Sequence, residues 1–195
     1  MSILKRHSYD IVKLYIDQIG INVFSLILIF AIGSVSSSIG VQLALSVFTT
    51  LFFGFILYTT AWDMGAKDRI SCDSGRCAAC PLKGLILSLF ANIPNFLLSL
   101  LAAVFLLISK TGSEAMFSAG TAMITLTKFT MAIYHGIVHA AASFSNGWSV
   151  VDNAVVISLG YFLVPVISIA ITQFGYSFGF KEKKIFGGAM DAKRK

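Results

Sequence analysis

Residues Ala115–Ala142 read AMFSAGTAMITLTKFTMAIYHGIVHAAA, a run without proline whose only Lys, Arg, Asp or Glu is Lys128. As one helix these 28 residues would cover ~42 Å at 1.5 Å per residue, enough to cross a bilayer with tilt. An ammonium near the middle of a bilayer costs at least about 2.5–3.5 kcal/mol on insertion scales, so such a residue faces a protein interior or a wet cavity. Ser118, Thr121, Thr125, Lys128, His135 and His139 recur at three- and four-residue spacing, with Ala132 filling the gap, and share one helical face. Phe117, Ile124, Met131 and Val138 lie elsewhere. The pattern predicts one continuous membrane helix with a polar stripe.

The rest of the chain extends that reading. Hydrophobic residues make up 56% of it, charged residues 12%, and the mean hydropathy is +0.83. A soluble domain carries about 25% charged residues, so too few are present to cover a water-facing surface. An all-α polytopic bundle of about five membrane helices is expected, over residues 18–33, 41–61, 84–108, 115–142 and 153–174. The 195 residues then form a single integral-membrane domain. Ile11, Val12, Leu14, Tyr15 and Ile16, set against Lys13 and Asp17, predict an amphipathic lead lying at the interface. The apolar run from Ile19 to Ile32 follows too long a leader for a signal peptide, and no A-x-A site succeeds it, so it is expected to be retained as the first helix. Residues 62–83 are expected to form the one substantial loop, and 181–195 a basic tail.

The net charge of +6 belongs to these ends and that loop, which excludes nucleic acid as the expected partner and favours the bilayer's anionic lipid head groups. Lys and Arg number three before the first helix, four around the 62–83 loop, one after the third helix and six in the C-terminal tail. Both tails therefore read as cytoplasmic. Five crossings would put them on opposite sides. The unbroken helical pattern favours five; a break at Gly120 or Gly136 would let 115–142 dip in and return.

Several constellations bear on function. Lys128 and Thr125, with His135 and His139 as proton-titrating groups, would line an ion or substrate pathway; a plain ordering role for Lys128, against Asn92, Asn95 or a carbonyl, competes. Asn92 and Asn95 flank Pro94, which should kink its helix or free the carbonyl near Phe90, and amides beside a freed carbonyl suit a transporter site. Stripes such as Gln18, Asn22 and Ser25, or Ser158, Tyr161, Ser168 and Thr172, are expected to pack helices, each bond contributing on the order of 0.6 kcal/mol. Gly175 and Gly179 form a GxxxG that would permit a homodimer. Cys72, Cys77 and Cys80 have a C-x4-C-x2-C spacing with no fourth cysteine in the chain. Three reduced thiols is the favoured reading, and a zinc site completed by His139 the alternative. Trp62, Asp63, Asp68 and Arg69 form a compact charged mouth suited to docking a partner.

No nucleophile–base pair, Walker loop, HExxH or GxSxG occurs, so nothing points to an enzyme. The string Tyr58–Arg69, with Ala91–Asn95, resembles small uncharacterised membrane proteins of Gram-positive bacteria, a resemblance that implies no function. A transporter, channel or membrane subunit of a transport complex is the leading expectation. A scaffold or regulatory subunit that binds through the 62–83 loop and basic tail is the alternative.

Overall fold

The computed structural model describes residues 8–33, 38–75, 80–143 and 149–183, and every element among them is helical. The helices are α1 (Ser8–Gly33), α2 (Ile39–Asp73), α3 (Lys83–Ser109), α4 (Glu114–Thr130), α5 (His135–Ala142), α6 (Val150–Leu163) and α7 (Pro165–Phe180), with a 3-10 turn at Ala132–Tyr134 between α4 and α5. Four stretches are long and apolar enough to cross a membrane: α1, α2, α3, and α6 with α7 taken together. The α4–α5 pair counts as a fifth only if it is one broken span.

The distribution of side chains is inverted relative to a soluble protein. Leu51, Ile27, Phe30 and Leu163 are each more than half exposed, whereas Ser99, Ser158, Thr127 and Asn95 are almost fully buried. Apolar surface on this scale needs an apolar surrounding, and buried hydroxyls and amides serve as the interior packing groups.

Three sequence expectations change. The lead and first helix are one helix, because nothing between Asp17 and Gln18 interrupts the hydrogen-bond ladder of α1. The 62–83 loop is largely helix: α2 continues to Asp73, with i,i+4 pairs Asp63–Lys67 and Arg69–Asp73 along its polar end. Hydropathy marks where the apolar stretch ends, not where the backbone stops coiling. The third correction is to 115–142, which is not continuous. It breaks at Met131–Tyr134 and bends by 88°, at neither Gly120 nor Gly136. Pro94, by contrast, sits inside an unbroken α3.

Contacts sort the helix ends onto two faces. On one face, Asp10 lies within electrostatic reach of Lys67, and Thr60 donates to Asp17 at 3.1 Å. The Trp62 indole donates to the Lys183 carbonyl at 2.8 Å, and the Gln173 amide to that of Pro81 at 2.8 Å. The start of α1, the α2–α3 connection and the end of α7 therefore lie together. On the other face, Lys110 at the end of α3 pairs with Asp152 at the start of α6. The broken element departs from this second face at Glu114, and the chain resumes there at Ser149. Both of its arms thus attach to one end of the bundle.

The most extensive helix pairing is between α2 and α7. A β-carbon on Gly65 would overlap the Tyr176 carbonyl, and one on Gly179 the Trp62 carbonyl. Gly175 and Gly179, the GxxxG pair, are buried in this contact within one chain, so the motif needs no second copy to explain it.

Candidate functional site

The break in the 115–142 segment lies at mid-depth. Asn22, near the centre of α1, donates through its side-chain amide to the Thr130 carbonyl, and its Oδ1 accepts from the Ile133 amide at 3.4 Å. From α2, the Thr49 hydroxyl donates to the Ile133 carbonyl at 3.2 Å, and the Ser46 hydroxyl accepts from the Gly136 amide at 2.6 Å. These are backbone groups that an uninterrupted helix would satisfy itself. In an apolar surrounding a break persists only where protein side chains replace the lost ladder, and Asn22, Ser46 and Thr49 do so. Gly136 is where α5 meets α2: a β-carbon there would overlap the Gln42 carbonyl.

The bend reorganises the polar stripe. His135 and His139 leave the straight face expected for them, yet they stay with Lys128, which lies within electrostatic reach of both rings. The two imidazoles pack with centroids 4.3 Å apart, and His135 Nδ1 is 3.2 Å from the hydroxyl of Tyr161, itself fully buried on α6. His139 Nε2 is buried without a hydrogen-bond partner among the described residues. Thr125 does not join this cluster: it is exposed and donates to the Thr121 carbonyl at 2.8 Å.

Asn92 and Asn95 form a separate buried chain. Asn95 donates to Asn92 Oδ1 at 3.2 Å, and Asn92 to the Ser88 carbonyl at 2.9 Å and the Ser168 hydroxyl at 3.4 Å. This chain ties α3 to α7. Asn95 also lines a half-open cleft of about 290 Å³ together with Gln18, Asn22 and Thr130, so the amide chain and the break share one wall.

The expected docking residues are mostly engaged within the chain. Asp68 accepts from Lys83 Nζ at 2.6 Å and from the Tyr176 hydroxyl at 2.8 Å, with the lysine side chain only 7% exposed. Arg69 donates to the Phe180 carbonyl at 3.4 Å and pairs with Glu182 at 3.5 Å. With the Trp62 bond, these contacts latch the end of α7 to α2. Asp63 and its partner Lys67 stay largely exposed.

Cys72 and Cys80 are half-buried thiols outside any disulfide, and Cys77 lies outside the described residues. The structure does not bring His139 to them. Gly136, one turn before it, touches α2 at Ser46, and Cys72 follows roughly 26 residues further along that helix, ~39 Å away at 1.5 Å per residue. Among the described residues no three His, Cys, Asp or Glu side chains are grouped to hold a metal.

The sequence reading placed Asn22 and Tyr161 in packing stripes and did not single out Ser46 or Thr49. The available signal was Asn22 itself, an amide at the midpoint of an otherwise apolar span. No family model, curated protein or solved structure matches this chain.

Proposed function

We propose that the chain is a small multi-pass membrane protein that conducts or transports a solute, with the broken α4–α5 element as its pathway or gate. One observation carries this reading: a lysine and two histidines gather at a helix break, at mid-depth, with the break held open by side chains from α1 and α2. Non-helical backbone at membrane depth occurs where protein buries it or a water-filled cavity meets it, and broken helices are how transporters present polar groups to cargo.

The topology we propose has four crossings and one re-entrant element. At 1.5 Å per residue, the 17 residues of α4 reach ~25 Å and the 8 of α5 ~12 Å, each short of a ~30 Å hydrocarbon core. Both arms attach to the Lys110–Asp152 face. Four crossings leave the two termini on one side, and the excess of basic residues there favours the cytoplasm for it. This removes the conflict between charge and crossing number that five spans create.

The test is solute flux through the full chain in liposomes, with potassium, proton and chloride gradients applied in turn. Lys128→Met is expected to fold and to lower the conducted flux at least tenfold; flux equal to the parent overturns the role of Lys128. The alternative, a scaffold that docks a partner through 62–83 and the tail, has the exposed Asp63–Lys67 pair as its surface. It predicts no flux for any solute and loss of partner capture when both are substituted.

A further inference from the structure

The one formal charge beside the break is Lys128, and among the described residues no carboxylate faces it. Lys128 makes no hydrogen bond or ion pair to any described residue. The described carboxylates are placed elsewhere: Asp68 on Lys83, Asp152 on Lys110, Asp63 on Lys67, Asp17 on Thr60, and Asp73 and Glu182 on Arg69. Asp10 lies at the opposite face beside Lys67, and Glu114 opens α4 about 21 Å along the helix from Lys128. An ammonium at that depth is normally paired or hydrated.

We infer that Lys128, His135 and His139 form a binding site for a compact inorganic anion of the chloride class, buttressed by Tyr161. The inference rests on the pathway reading above and deepens it by naming the cargo. Lys128 supplies the charge. His135 Nδ1 is 3.2 Å from the Tyr161 hydroxyl; in the tautomer the site requires, that hydroxyl donates to Nδ1 and the ring's hydrogen sits on Nε2. His139 Nε2, buried and without a partner, supplies the second imidazole N–H. The two imidazoles pack with centroids 4.3 Å apart and Lys128 lies within electrostatic reach of both, a grouping that fits a single concentrated charge. The Asn22 clip holds the break that lies between Lys128 and the two histidines.

Thermal unfolding of the full purified chain in detergent tests the site apart from transport. Sodium chloride is compared with sodium gluconate at equal ionic strength, so that general screening cancels. A ligand that binds only the folded state raises Tm in a saturable way. The parent and Lys67→Met, which alters an exposed pair, are expected to show a saturable chloride-dependent rise, absent in Lys128→Met and reduced at least threefold in apparent affinity in His139→Gln. Should Lys128→Met not fold, His139→Gln and Lys128→Arg decide, the arginine retaining the shift. Equal Tm in both salts for the parent, or a rise in Lys128→Met (in His139→Gln, should Lys128→Met not fold) equal to the parent's, overturns the site. A chloride shift without chloride flux in liposomes keeps the site and overturns the pathway; flux without the shift does the reverse.

Discussion

The α2–α7 pair and the α4–α5 element meet the same demand, that no backbone group stay unsatisfied at depth, in opposite ways. Along α2–α7 each helix keeps its own ladder, glycines bring the two backbones into contact, and the Asp68–Lys83–Tyr176 group closes the end. The polar side chains that close that end have internal partners, which is how a structural seam looks. The α4–α5 element gives up part of its ladder and borrows Asn22, Ser46 and Thr49 to replace it. Beside that substitution stand Lys128 and His139 Nε2, neither with a hydrogen-bond partner among the described residues. Burial and polarity are common to both regions; what separates them is whether each helix keeps its own backbone ladder or borrows side chains to replace it.

Substitutions that push on one region at a time sharpen this contrast. The largest effect is expected for Gly179→Leu, because the obstacle is the Trp62 backbone and cannot rotate away. Overpacking typically costs about 1–3 kcal/mol, and here the helices must separate. Loss of a monodisperse peak in size-exclusion chromatography would be the sign; a stable, well-behaved variant would show that the seam is loose. Asp68→Asn comes next. Removing one partner of a buried ion pair costs roughly 3–5 kcal/mol, and the lower end applies because the Asp68 side chain is 21% exposed. Denaturant or thermal unfolding in detergent measures it, and Asp68→Asn with Lys83→Met should recover much of the loss.

Asn22→Leu is expected to cost less, about 1–3 kcal/mol for leaving the Thr130 carbonyl and Ile133 amide unsatisfied, while reducing flux as strongly as Lys128→Met. A variant that loses stability but keeps full flux would detach the break from function. For Lys128→Met itself the expected change in folding stability is small, since no internal bond is lost, and the whole effect should fall on flux. Lys67→Ala removes one exposed i,i+4 pair; unfolding and flux should both match the parent.

Much of the architecture was legible from composition. Apolar runs separated by charged or small residues located the four long spans, and the basic residues raised a conflict with a fifth crossing. The break was not legible, for a physical reason: its cause lies outside the segment. Met131-Ala132-Ile133-Tyr134 contains no glycine, proline or polar turn, and local periodicity reads straight through it. Asn22 is more than a hundred residues away in sequence, and only tertiary structure brings it there. The extension of α2 past Trp62 was missed for another reason, since polarity marks the membrane edge and helix formation does not stop at it. Lys128, His135 and His139 were identifiable as residue types too costly to bury idly. Thr125 was grouped with them only because a straight helix would have aligned it.

The central claim is that α4–α5 enters and leaves by one face, so that the chain crosses four times. Paired reporter fusions, one active only in the cytoplasm and one only outside, placed before Met1 and after Lys195, test it directly. The account predicts that both termini report the same side, the cytoplasm. Termini on opposite sides would contradict it, making 115–142 a full, if bent, crossing.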